Sequence, residues 1–234
     1  MSDSRTFEKM ETFFQSYNTT DPKERAKFYE DWARGYDKDV SLLGYNGPTL
    51  AVNCLLSNFP GSREAALVLD VACGTGLVAK LMSELGFRHF VGVDGSKGML
   101  EQAAETGLYQ DLRPALLGTQ PLPAQADMFD VVIMVGALAV GFVPISVVRE
   151  LCQATKPGGF VCMTRGDYRA EESTYQFKAD LEREFQLMEE EGLWTRVESK
   201  ETDKFLMDIK RGAKDMLTAE YLSGCVYLYR KSLG

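Results

Sequence analysis

With 234 residues, 45% of them hydrophobic and a formal net charge of −8 at pH 7, the chain has the apolar content of an ordinary globular protein with one buried core. The acidic balance leaves no basic stripe to neutralise phosphates, which argues against nucleic acid and anionic membrane surfaces as partners. The opening MSDSRTFEKMETFF is polar, and no later run reaches the ~20 apolar residues of a membrane-crossing helix, so a cytosolic protein is expected.

Residues 1–60 read as an N-terminal helical unit with two helices, around RTFEKMETFFQSY and DPKERAKFYEDWARGYDKDV. Asp21 is the expected cap of the second, with Pro22 in its first turn. Phe13, Phe14, Tyr17, Phe28, Tyr29, Trp32 and Tyr36 crowd this unit with aromatic rings, which suggests a lid over a pocket.

From residue 61 to 234 short β-rich apolar runs alternate with helical patterns, the signature of an α/β unit with a parallel sheet and crossover helices. LVLDVA (67–72) is the first expected strand and GLVAKLMSELG the helix after it, ended by Gly86. HFVGVD (89–94), RPALLG (113–118), FDVVIMVGA (129–137) and GFVCMTRG (159–166) follow as strands, with helices over SKGMLEQAAETG and ISVVRELCQATKPGG. A long acidic helix, ESTYQFKADLEREFQLMEEEG, carries Phe177, Leu181, Phe185 and Met188 on one stripe. LWTRVESKETDKFL and GCVYLYRK alternate apolar and polar residues as a terminal antiparallel pair, separated by a partly helical insertion, MDIKRGAKDMLTAEYLS. The five cysteines are scattered and lack C-x-x-C spacing, which argues against disulfides and a zinc site and leaves no metal expected.

Gly74-Thr75-Gly76-Leu77-Val78-Ala79 fits the G-x-G-x-x-G/A loop, in which glycines let backbone approach a nucleotide-like ligand at a helix N-terminus. Asp94, at the end of the second strand, suits a ribose diol whether the ligand is a dinucleotide or an adenosyl group. Asp70 separates the two. A carboxylate at the first strand end repels a pyrophosphate but attracts the ammonium and sulfonium of S-adenosylmethionine.

VLDVACGTG and VGVDGSKGML resemble the first two motifs of the class I S-adenosylmethionine-dependent methyltransferases. PLPAQADMFDVVIMVGAL and ELCQATKPGGFVCMT resemble later motifs in the same order. YEDWARGYDKDVSLLGYNGP resembles the Y-D-x-W-A-x-x-Y-D opening of a subgroup, with Glu30 at its first Asp. As a whole the chain resembles the vertebrate methyltransferase-like group named after the Williams–Beuren syndrome chromosomal region.

The resemblance implies a Rossmann-like sheet, mostly parallel with an antiparallel last strand, helices on both faces, and S-adenosylhomocysteine as product. It also implies a set of roles. Asp70 meets the methionine ammonium, directly or through water, and Gly74, Thr75 and Gly76 wrap the methionine portion and ribose. Asp94 holds the ribose diol beside Gly95 and Ser96, and Met99 packs on the adenine. Val135, Gly136 and Ala137 line the other side, and Tyr36 closes over the cofactor. Many members read the adenine amino group with an aspartate before an LP pair; this chain has LGTQPLP, so Thr119 or Gln120 is expected there instead.

His89, the only histidine, begins the second strand and so lies at the end of the sheet away from ligands, in a structural role. Cys73 reads as loop filling, and Trp32 and Trp194 as packing anchors. Arg165 ends the fifth strand, either in an ion pair with Asp167 or as a clamp for a substrate anion. Tyr17, Arg165 and Tyr168 are the candidates on the substrate side; Tyr17, Tyr36, Tyr45 and Tyr168 have the chemistry to shape the pocket or contact a methylated amine. The expected function is methyl transfer to N, O or S of a small molecule, by a monomer or a homodimer. A protein methyltransferase, a non-catalytic adenosyl-binding protein and a dinucleotide oxidoreductase are the alternatives.

Overall fold

The computed structural model describes residues 21–168, 172–208 and 220–233. The helices expected around residues 5–17 and within the insertion at 209–219 lie outside the described residues, as does Tyr17.

Helix α1 (Pro22–Leu42) begins as its sequence predicts: Asp21 Oδ1 accepts from the backbone N–H of Lys23 (2.8 Å) and Glu24 (3.1 Å). The following helix, α2 (Gly47–Asn58), is absent from the expectation. Pro48 in its first turn and the apolar spacing of Ala51, Val52 and Leu55 are the signals that mark it. The rest of the chain runs β1 (Leu67–Val71), α3 (Leu77–Glu84), β2 (His89–Asp94), α4 (Lys97–Glu105), β3 (Tyr109–Pro114), β4 (Phe129–Val135), α5 (Val147–Ala154), β5 (Thr155–Gly166), α6 (Glu172–Glu190), β6 (Trp194–Met207) and β7 (Tyr221–Lys231).

The strands form one sheet in the order β3-β2-β1-β4-β5-β7-β6, the first five parallel, with β7 antiparallel to both β5 and β6. Its central strands are buried on both faces, as parallel sheets covered by helices must be. Val68, Val131, Ile133 and Cys162 point to the side covered by α2 and α3, where Ala51, Leu55, Ala79 and Met82 complete the packing. Leu69, Val71, Val132, Met134 and Val161 point the other way, against Val147, Val148 and Leu151 of α5 and Leu181, Phe185 and Met188 of α6. All five cysteines are free and buried.

The third strand lies earlier than RPALLG. Tyr109–Pro114 is an edge strand whose Gln110 and Asp111 face solvent, so it lacks the apolar run that marks an inner strand. The more apolar ALLG turns instead beyond the strand end, with Leu116 over Gly95. The helix expected to close at Lys156, Pro157 and the Gly158-Gly159 pair stops at Ala154, and Thr155 already pairs with Phe129.

Candidate active site

The strand order reverses between β1 and β4, and the chain turns away from the sheet on opposite sides of that line, opening a crevice at the carboxyl ends of the strands. A cavity of about 330 Å³ occupies it. Gly74 lines this cavity with φ +56°, and a Cβ placed on it would meet nothing within 4 Å. Bare backbone therefore faces open space, as close approach to a ligand requires. Gly76 (φ +88°) serves packing instead, since a Cβ there would lie 3.1 Å from the Tyr109 ring.

Asp94 stands at the wall with both oxygens anchored. Oδ2 accepts from the Gly74 N–H (2.9 Å) and Oδ1 from the Ser96 N–H (2.8 Å). Burial pushes its carboxyl up, opposed by the N–H groups of Ser96, Gly74 and Gly95. Each oxygen keeps a lone pair for a diol. Ser96 caps α4 by accepting from the Met99 N–H (3.3 Å), and Met99, Ala115, Leu116 and Leu117 form an apolar wall. A carboxylate held for a diol, bare glycine backbone and an adjoining apolar wall fit an adenosyl group.

Asp70 is 1% exposed and does not line the cavity. The Tyr109 hydroxyl donates to its Oδ2 at 2.6 Å, behind the glycine loop. Burial pushes its carboxyl up to about 7, against the pull of that hydrogen bond. The full negative charge that sequence reasoning set against a phosphate is thus neither at the wall nor fully developed near neutral pH.

Helix α1 covers the cavity. Its Asp37 accepts from the Thr75 hydroxyl and pairs with Lys80 (2.7 Å), tying the helix to the glycine loop and the start of α3. It crosses α4 closely at Gly98, where a Cβ would stand 2.9 Å from the Glu30 carbonyl oxygen. Phe28, Tyr29, Trp32 and Tyr36 turn toward the cavity, and Trp32 Nε1 donates to Asp39 Oδ2 (2.8 Å). Trp32 is therefore both anchored and part of the wall.

At the far end, the turn between α1 and α2 is tied to β6 by Asn46 N–H to Phe205 O and Met207 N–H to Leu43 O, both 2.9 Å. This places Tyr45, Leu206 and Met207 in the same wall as Phe142 and Tyr168. Tyr168 donates to the Gly136 carbonyl (3.0 Å), and Tyr45 and Tyr168 both pack edge-on against the Phe205 ring. Gly136 has φ +72°, and a Cβ on it would lie 2.1 Å from the Tyr45 hydroxyl, so only glycine fits beneath the two tyrosines. Burial pushes Tyr36, Tyr45 and Tyr168 up, and Tyr29 to about 12 against the opposing Arg25 charge.

The cavity thus gathers Tyr36, Gly74, Asp94, Gly95, Ser96, Met99, Val135, Gly136, Ala137 and Tyr168 from the expected set. Asp70, Thr75 and Gly76 stand behind the loop. Thr119 and Gln120 are exposed and turned onto Leu116, the first donating to its carbonyl (2.7 Å) and the second accepting from its N–H (3.0 Å). Leu116 and Leu117 take the wall positions instead. Arg165 is also away from the cavity: it is 2% exposed and paired with Asp167, which accepts from the Ser223 hydroxyl (2.6 Å). That network makes it an internal strut, not an anion clamp. His89 starts β2 and lies 2.7 Å from Gln110 Nε2, and Trp194 stacks on Tyr229. Sequence reasoning missed Phe142, in the loop after β4, where no pattern singles out one apolar residue, and Arg25, whose place on an exposed-looking helical turn gave no sign. Among the described residues no cluster of side chains suits a metal ion.

Residues 68–159 match the model of the methyltransferase domain family. Human methyltransferase-like protein 27 is 47% identical over 179 residues, covering 76% of this chain and 71% of that protein. The ubiquinone biosynthesis O-methyltransferase of Maricaulis maris is 30% identical over 161 residues, covering 62% of this chain and 61% of that one. Among solved structures, the complex between the Haloferax volcanii Trm112 methyltransferase activator and its methyltransferase contains a chain of the same fold, with TM-score 0.61 and 16% identity over 87% of this chain and 97% of that one. The motifs, the sheet order and these relatives agree: the chain belongs to the class I S-adenosylmethionine-dependent methyltransferases.

Proposed function

We propose that the chain is a cytosolic enzyme that moves the methyl group of S-adenosylmethionine to a nitrogen, oxygen or sulfur of a small molecule, releasing S-adenosylhomocysteine. The carrying observation is the single cavity that runs from Gly74 and Asp94 to Tyr45 and Tyr168 beneath α1. Asp94 would hold the ribose hydroxyls, Met99, Leu116 and Leu117 would flank the adenine, and Gly74 and Tyr36 would enclose the methionine portion. The cofactor supplies a methyl group already activated by its sulfonium. What remains for the protein is to orient the two partners and exclude water, which α1 and its aromatic rings are placed to do.

A roofed cavity favours a small acceptor over a folded macromolecule. The net charge of −8 favours acceptors other than RNA, and resemblance to an O-methyltransferase of ubiquinone biosynthesis supports a small acceptor too. The test is to incubate the protein and methyl-labelled cofactor with a cell extract and separate small molecules from protein and RNA. Label in the small-molecule fraction is expected; label confined to macromolecules would overturn the acceptor class.

A further inference from the structure

The half of the cavity beyond Gly136 is walled by rings. Trp32, Tyr29, Phe142 and Tyr168 follow one another with centroids 5.8, 6.3 and 5.9 Å apart. Tyr36 joins this arc at Trp32 (4.7 Å), and Tyr45 closes its other end beside Tyr168, the two sharing the Phe205 ring at 5.5 and 6.1 Å. The six residues other than Phe205 line the cavity. One ring of the arc already takes a cation on its face, for the Arg25 guanidinium lies 4.0 Å over Phe142. Ring faces attract cations, most strongly where water is excluded.

Among the described residues the ring wall itself carries no group that takes a proton. Among the described lining residues the ionisable groups other than tyrosines are Arg25, Asp94 and Asp208. Asp94 is bound to the glycine loop and α4, on the cofactor side. Asp208 follows β6 and lines the cavity beside Leu206 and Leu222, apart from the ring arc. Burial keeps Tyr45 and Tyr168 protonated, and Tyr168 donates to the Gly136 carbonyl, which cannot take a proton. The chain's one histidine is at the opposite end of the sheet. An alcohol must lose its proton to become a stable ether; an amine that has left its proton in solvent and enters as the free base already holds the lone pair.

We propose that the acceptor is an amine, held against the ring arc of Tyr29, Phe142 and Tyr168 with any N–H donated to the Tyr45 hydroxyl oxygen. In the transfer the nitrogen lone pair forms the N–C bond while the C–S bond breaks and leaves its electron pair on sulfur. The positive charge passes from sulfonium to ammonium, and no proton moves in the step. The ring wall therefore stabilises the charge at its origin and its destination. This inference rests on the methyltransferase reading above.

The probes are choline and its uncharged carbon isostere 3,3-dimethyl-1-butanol, titrated calorimetrically into protein saturated with S-adenosylhomocysteine. Choline should bind at least ~10-fold more tightly, a difference of about 1.4 kcal/mol. The preference should survive Tyr29→Phe and shrink several-fold in the Tyr29→Leu/Phe142→Leu double variant. Equal affinities, no choline binding, or a preference indifferent to loss of the rings would overturn the amine assignment. So would a labelled product from the extract that carries no positive charge on cation exchange in acid. Failure to bind S-adenosylhomocysteine at all would instead remove the methyltransferase reading beneath it.

Discussion

Asp70 and Asp94 stand at the carboxyl ends of neighbouring strands, the first buried and the second half-buried, and they answer to different neighbours. Asp94 faces the cavity on two backbone N–H groups, and charge-assisted hydrogen bonds of that kind contribute ~1.5–3 kcal/mol each. Asp94→Ala should therefore weaken S-adenosylhomocysteine binding by roughly 10- to 100-fold in calorimetry; unchanged affinity would refute the ribose role. Among the described residues the side chain of Asp70 is bonded to Tyr109, and burial lifts its carboxyl from 3.8 to about 7. Between those values the folded chain keeps a proton that the unfolded chain has lost. Its contribution to stability is thus full below pH 3.8, falls as pH rises, and is gone above about 7. Asp70→Asn keeps an acceptor for Tyr109 and carries no charge, so in urea unfolding the variant should gain on the wild type from pH 5 to pH 8. Over that range the gain has an upper bound of about 2.7 kcal/mol. Parallel pH curves for the two proteins would contradict this. The strand-end position of Asp70 is legible in the sequence because LVLDV is so apolar. Its partner is not, because Tyr109 sits on a half-polar edge strand that periodicity misplaces.

At the level of elements, α1 is held on the sheet domain by close and polar contacts at Gly98, Thr75 and Lys80, besides its aromatic face. Gly98 lies inside a helix, where a side chain would raise helix propensity, yet the Glu30 carbonyl leaves no room for a Cβ. In Gly98→Val the clash should win, since crowding a packed contact costs ~1–3 kcal/mol. The expected outcome is a several-fold loss of S-adenosylhomocysteine affinity and faster proteolysis within α1. A variant with wild-type affinity and protease resistance would show that α1 is not seated through this crossing. Inner strands and the α6 stripe are legible because both faces, or one whole face, must be apolar. Helix α2 is not: with Ala51, Val52, Cys54 and Leu55 buried in twelve residues, it is short and its stripe blends into a broadly apolar segment.

For the molecule as a whole, the reversal of strand order between β1 and β4 decides where a ligand can sit, and the glycine loop, Asp94 and Gly136 all meet there. The half of the cavity proposed for the cofactor is legible because backbone geometry dictates it: Gly74 and Gly136 have positive φ, and Asp94 ends a strand. The acceptor half is not, because Tyr29, Tyr45, Phe142 and Tyr168 come from α1, a turn and two loops that only the folded chain brings together. Arg165 shows the limit from the other side, as strand position alone does not tell a strut from a clamp. The most direct measurement is calorimetric titration of the protein with S-adenosylhomocysteine and, separately, with NAD. One-to-one binding of S-adenosylhomocysteine with no detectable NAD binding is the predicted result; tight NAD binding without binding of the adenosyl ligand would contradict the assignment of this cavity.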